Sequence, residues 1–183
     1  LECARALGQR GYRVTLAEAS AELGGRVARE CRLPHAGAWG RVRDHRLQQL
    51  AKLPEVEIFR ESRLDAHQIF EFGYPHLVIA TGAYWRRDGI ARFHLESIPM
   101  AAGARVLTPD DLMAGAKPEG NVVIYDDDHY YMGGLMAELL VAQGAAVTLV
   151  TPASEVSNWA RNTLEQHKIQ ARLLRLGVRI ETN

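Results

Sequence analysis

The sequence predicts an α/β chain made of two parallel-sheet units, and three observations carry that prediction. Short β-branched runs alternate with helical stretches along the 183 residues, the order that builds parallel βαβ units. The clearest case is the apolar run Asn121-Val122-Val123-Ile124, then the polar turn YDDDHYYMGG, then the helical stretch LMAELLVAQG. An earlier run, YRVTLAE, follows a helical stretch and ends on Glu18. That is the layout of the second strand of a dinucleotide-binding βαβ unit, whose terminal acid binds a ribose hydroxyl.

Composition narrows the function classes. The chain is 47% hydrophobic and 24% charged, with 22 basic and 22 acidic side chains, so no global field recruits nucleic acid or an anionic membrane. Cys3 and Cys31 are too few and too isolated for a disulfide framework, a zinc site or an iron–sulfur cluster. No apolar run approaches the roughly 20 residues of a membrane span, and the first residues have no basic start leading into an apolar signal core. These features point to a cytoplasmic protein.

Taken in order, residues 1–9 form a helix with Leu1, Ala4 and Leu7 on one stripe, stopped by Gly11 before the strand 12–18. A chain that opens inside a helix, one strand short of a complete βαβ unit, is expected to be a piece of a longer polypeptide. Gly24 and Gly25 follow the strand end, where two glycines let the backbone pass close to a dinucleotide. Residues 39–53 carry an apolar stripe of Trp39, Val42, Leu47, Leu50 and Leu53 and close at Pro54. Residues 56–60 alternate as a strand, and residues 64–72 form a short helix that Asp65 can cap. HLVIATGA, residues 76–83, reads as a buried strand ending in Ala-Thr-Gly. Residues 85–100 lack a period, and Thr108-Pro109-Asp110-Asp111 is a capped helix start whose acids serve the helix.

Residues 116–120 form a Pro/Gly-containing linker between a first unit, 1–115, and a second, 121–183. The second runs strand 121–125, helix near 134–143, Gly144 as stop, strand 146–151, helix 162–176, Gly177 and strand 178–180. Both units are thus Rossmann-like parallel-sheet units of the FAD/NAD(P)-binding type, the chain being truncated at its N-terminus and, on the same reading, at its C-terminus.

Three aspartates stand where such a unit wants glycines. A receiver-type phosphoacceptor pocket needs an aspartate at a later strand end, and none follows Asp128. A metal site from Asp126, Asp127, Asp128 and His129 needs several converging oxygens, which consecutive strand-end residues do not provide. Carboxylates serving as caps of the next helix and as loop contacts are the better account. Mapped onto Gly-x-Gly-x-x-Gly, the turn puts Asp126, Asp128 and Tyr131 at the glycine positions, with Gly133 and Gly134 displaced downstream. One carboxylate about 5 Å from a phosphate charge costs about 3 kcal/mol at an effective dielectric near 20. The next strand ends Val150-Thr151-Pro152, with neither an acid for a ribose hydroxyl nor an Arg for a 2′-phosphate. NAD(P)H is expected to bind poorly. His35, His67, His76, His94 and His167 lack catalytic spacing and are read as structural or surface residues, so no catalytic residue and no metal ligand is assigned.

GQRGYRVTLAEASAELGGRV, LPHAGAWGRVRDHR, HLVIATGAYWRRDG, LTPDDLMAG, YDDDHYYMGGLMAELL and NTLEQHKIQARLL, in this order, resemble the C-terminal region of the trimethylamine, dimethylamine and histamine dehydrogenase family. That family is related to NADH:flavin oxidoreductases and 2,4-dienoyl-CoA reductase. The resemblance implies an FMN and a [4Fe–4S] cluster in a separate barrel that this sequence does not contain, and ADP or FAD in the first unit. Glu18 matches the ribose-binding acid, and Gly24, Gly25, Arg26, Thr81 and Gly82 match positions lining the nucleotide. It further implies amine oxidation, electron transfer to an electron-transferring flavoprotein and a homo-oligomer. The helix near 39–46 matches the docking region, although Arg41 and His45 stand where aromatic residues are expected. The alternatives are the FAD/NAD(P)H-binding segment of a dienoyl-CoA reductase-like enzyme and a standalone interaction domain.

Overall fold

The computed structural model describes every residue except His94, whose expected surface role lies outside the described residues. The chain forms two compact units, Leu1–Arg32 with Ala36–Ala83, and Leu33–His35 with Tyr84–Asn183. Each holds a small parallel sheet.

In the first unit the order is α1 (Glu2–Gly8), β1 (Val14–Ala17), α2 (Arg26–Glu30), a 3-10 turn (Gly37–Trp39), α3 (Gly40–Leu50), β2 (Val56–Phe59) and α4 (Ala66–Glu71). β1 and β2 pair in parallel with Val14 opposite Val56 and Ala17 opposite Phe59. Helix α1 lies against α3 and both strands, burying Ala4 and Leu50. A side chain at Gly8 would begin 2.5 Å from Val56 Cγ2, so only glycine lets α1 approach β2 this closely. The helix expected over 39–53 starts as a 3-10 turn and ends at Leu50. Asp65 caps α4 as expected, its side chain accepting from the Gln68 amide at 2.9 Å while Gln68 returns a bond to the Asp65 amide.

The strand expected over 76–83 is not formed. Leu77, Val78 and Ile79 are 58%, 62% and 76% exposed. Apolar, β-branched composition makes a strand only where a neighbouring backbone supplies the ladder bonds. Among the described residues β1 pairs only with β2. The nearest tie is a hydrogen bond of 2.8 Å between Tyr74 Oη and Thr15 Oγ1.

The second unit runs α5 (Pro109–Met113), β3 (Asn121–Tyr125), α6 (Met132–Ala142), β4 (Ala146–Val150), a 3-10 turn (Asn158–Arg161), α7 (Gln166–Arg175) and β5 (Arg179–Glu181). The sheet order is β3-β4-β5, all parallel, with Tyr125 opposite Val150 and Val150 opposite Glu181. Helix α6 packs on β3, β4, α5 and α7, burying Leu135, Met136, Ala137 and Leu140 over Val147, Leu149, Ile169 and Leu173. Gly144 and Gly177 follow α6 and α7 with φ of +91° and +78°, the left-handed exits expected of helix-ending glycines. The last helix, expected from 162, begins only at Gln166, and the 3-10 turn ends at Arg161 just before the expected start.

Residues 84–115, assigned with the first unit by the sequence reading, pack with the second. The Trp85 amide donates to Asp110 Oδ2 at 3.0 Å, Arg87 pairs with Asp111, and α5 lies on α6. Asp111 completes the Thr108 capping box, so both acids hold structure as expected. His35 is not partnerless. It faces the buried Glu138 of α6 at 3.2 Å, and Arg172 of α7 faces the same carboxylate at 2.8 Å, which gives that buried charge the pairing it needs.

Replacing Leu149, which is fully buried on the central strand, with alanine is expected to cost about 2–5 kcal/mol in denaturant unfolding. Leu174→Ala, at a side chain 56% exposed, should stay within about 0.5 kcal/mol. Equal losses at both positions would contradict this core.

Candidate functional site

The turn between β3 and α6 is built around the side chain of Asp126, which is 4% exposed. Its amide donates to Val150 O at 2.8 Å, continuing the β3–β4 ladder by one residue. Its Oδ1 accepts the amides of Asp128 at 3.1 Å and His129 at 3.4 Å. The carboxyl group therefore folds back into its own turn. A Cβ at Gly133 would lie 2.5 Å from Asp126 Cγ, so Gly133 leaves room for this carboxyl on the first turn of α6. Gly134 lets α6 approach α7, where a Cβ would sit 3.2 Å from Ile169 Cγ2. The displaced glycines are thus explained by close packing.

Of the helix-cap and loop-contact roles expected for these carboxylates, the structure contains the second and not the first. Tyr131 is the N-cap residue of α6, and no side chain caps it. Asp127 instead accepts the Phe93 amide on Oδ2 at 3.1 Å and faces His129 Nε2 with Oδ1 at 3.3 Å.

His129 is 2% exposed and has φ of +61°, a left-handed backbone that costs a non-glycine residue about 1–2 kcal/mol. Its surroundings hold it there. Its carbonyl accepts the Trp159 amide at 3.0 Å, its Nδ1 lies 3.4 Å from Thr151 Oγ1, and the Phe93 ring meets it edge-on at 5.1 Å. Arg92 sits over the Trp159 ring at 4.4 Å. Residues 92–93 thus cover the turn from outside.

Burial raises the pKa of Asp126 above the ordinary carboxylate value, and nearby Asp128 adds to the rise against the two amide bonds. Asp126 Oδ2 has no hydrogen-bond partner among the described residues. Beyond the turn, the carboxyl ends of the strands leave a shallow, open depression of about 270 Å³ whose lining includes Tyr125, Thr151 and Glu181. Among the described residues no group of three or more His, Cys, Asp and Glu is arranged to hold a metal ion. Nor is any helix long and apolar enough to cross a membrane.

In the first unit Glu18 lies just past β1, where its amide donates to Phe59 O and its carbonyl accepts the Ser62 amide at 2.8 Å. Its Oε1 accepts both the amide and the hydroxyl of Ser20 at 2.9 Å. The carboxylate is fixed at the carboxyl end of a parallel sheet, where such sheets take ligands. Gly24 has φ of +116°, and a Cβ there would fall 2.5 Å from Arg43 Cδ, while Gly25 is the N-cap of α2 with φ of +54°. Arg26 turns its guanidinium to Glu30 of the same helix, with Nε 2.8 Å from Oε1. Thr81 and Gly82 lie in the segment that is not a strand. Among the described residues no hydrogen bond joins them to Glu18 or to the glycine pair.

Phe93, His129 and Trp159 escaped the sequence reading as a cluster. They come from three separate loops with no periodicity to connect them. Only the Asp-rich turn itself offered a signal.

Two small parallel sheets with helical connections, one with an acid at a strand end and one with a carboxyl-filled turn, define a mixed α/β protein. Residues 107–183 match the model of the OYE-like second alpha/beta domain. The structure of histamine dehydrogenase from Rhizobium sp. 4-9 is 54% identical, with a TM-score of 0.96 over 100% of this chain and 28% of that one. That of 6-hydroxypseudooxynicotine amine oxidase from Pseudomonas geniculata N1 is 43% identical, with a TM-score of 0.95 over 99% of this chain and 27% of that one. Dimethylamine dehydrogenase of Hyphomicrobium sp. (strain x) is 35% identical over 98% of this chain and 25% of its own length. The chain belongs to the trimethylamine, dimethylamine and histamine dehydrogenase family of flavin oxidoreductases and corresponds to a C-terminal part of its larger members. It spans about a quarter of the length of the relatives it matches.

The raised pKa of Asp126 has a definite sign in stability. The folded state favours the neutral carboxyl, so wild type loses stability as pH rises from the ordinary value of 3.8 toward the raised one. Asp126→Asn removes that slope. Melting temperatures across the acidic to neutral range should show the variant gaining on wild type as pH rises, and a pH-independent difference would contradict the assignment.

Proposed function

We propose that this chain is a non-catalytic, nucleotide-binding-type segment of a longer flavoprotein that oxidises an amine and does not draw electrons from NAD(P)H. The observation that carries the reading is the Asp126 carboxyl seated on the Asp128 and His129 amides, in a chain 54% identical to a histamine dehydrogenase. A dinucleotide pyrophosphate needs those turn amides and a close approach at the helix start. Here the amides are taken, and the group that takes them is acidic.

The first unit carries the remaining nucleotide role. Glu18, fixed through Oε1 by Ser20, fits the ribose end of ADP or FAD, with its second oxygen available to a hydroxyl. Gly24 and Gly25, both at positive φ, admit a close backbone approach. Arg26, Thr81 and Gly82 would complete the lining as the nucleotide binds.

FMN and a [4Fe–4S] cluster elsewhere in the polypeptide would accept and relay the electrons of the amine. An electron-transferring flavoprotein would receive them, with docking near α3, and the assembly would be a homo-oligomer in the cytoplasm.

The test uses the intact flavoprotein under anaerobic conditions. Flavin absorbance should bleach on adding a methylated amine or histamine and persist with NADH or NADPH. Rapid bleaching by a nicotinamide would overturn the reading in favour of a dienoyl-CoA reductase-like enzyme.

A further inference from the structure

We propose that Asp126 is the residue that refuses the nicotinamide dinucleotide, and that it does so by occupancy, its side-chain oxygen standing where a phosphate oxygen would bind. The inference rests on the reading above and adds the cause, occupancy of the amides rather than charge.

Four observations converge on this side chain. Asp126 is 4% exposed, and Oδ1 takes two consecutive turn amides, Asp128 and His129. Such a pair of backbone donors ahead of a helix is what a bound phosphate uses. The carboxyl lies against Gly133, a helix position with no Cβ to displace it. Its other oxygen is buried without a protein partner, which burial penalises and which packing alone would not select. Finally, the Phe93 amide on Asp127, the Phe93 ring on His129 and Arg92 over Trp159 close the turn from the solvent side.

Occupancy and simple repulsion make different predictions. An asparagine at 126 keeps an oxygen on the two amides while losing the charge. A glycine or alanine vacates the amides. Comparing them while holding charge constant separates the two causes.

The experiment uses the intact flavoprotein, with slow hydrogen exchange of the β3 and β4 amides as the check that the second unit is folded in each variant. NADH is titrated by its fluorescence against wild type and against Asp126→Gly/Asp128→Gly, Asp126→Ala/Asp128→Gly and Asp126→Asn/Asp128→Gly. All three variants lose the same two charges. Wild type and the asparagine variant should refuse NADH. The glycine and alanine variants should bind it at least about tenfold more tightly, the scale of a regained hydrogen bond to a charged group.

Equal gains in all three variants would make charge the cause and overturn the proposal. Refusal by folded glycine and alanine variants alike would overturn it too, while leaving the amine dehydrogenase reading intact. Binding of NADH by wild type would remove both.

Discussion

The bonds from the Asp128 and His129 amides to Asp126 Oδ1 close the turn on which the second unit is organised. The strand before it is held to β4 as far as the Asp126 amide, 2.8 Å from Val150 O. Helix α6 can start where it does because Gly133 has no side chain to collide with the carboxyl. From there α6 lays Leu135, Met136 and Leu140 onto the sheet and, through Gly134, meets α7. His129 accepts a left-handed backbone because Phe93 holds it from one side of the chain and Thr151 and Trp159 hold it from the β4–α7 connection. One short side chain thus links the sheet, the helix and the loops that cover them.

Much of this fold was legible in the sequence because its cues are local. Gly144 and Gly177 end their helices as expected, Asp65 and Thr108 cap theirs, and the alternating run at Val56–Phe59 and the apolar run at Asn121–Tyr125 are strands. The run 76–83 differs because a strand is a property of a pair. Its apolar residues describe what it could bury, whereas the ladder bonds must come from a neighbouring backbone that the described residues do not supply. The change of packing partner near Ala83 was hidden for a related reason, since it depends on Trp85 reaching Asp110 and on α5 meeting α6.

The site was legible in outline. Three acids in a turn that wants glycines signalled that something other than a nucleotide occupies it. Which acid, and how, was not readable: the sequence implies caps and loop contacts alike, and none of the acids caps α6. The answer lies in the third dimension, where Asp126 turns back on its own amides and Asp127 reaches Phe93. In the first unit Glu18 stands just past a strand end, as the sequence implies, and the Ser20 hydroxyl that fixes it adds a detail that spacing alone does not convey.

The most direct measurement is native-state amide hydrogen exchange in the intact protein, read at Asp128 and His129 against the Asp126 amide that pairs with β4. If Asp126 Oδ1 holds both amides, they should exchange slowly, with protection approaching that of the strand end, although they lie in an irregular turn. Exchange at the rate of an open loop, with the Asp126 amide still protected, would mean that the carboxyl does not occupy the turn.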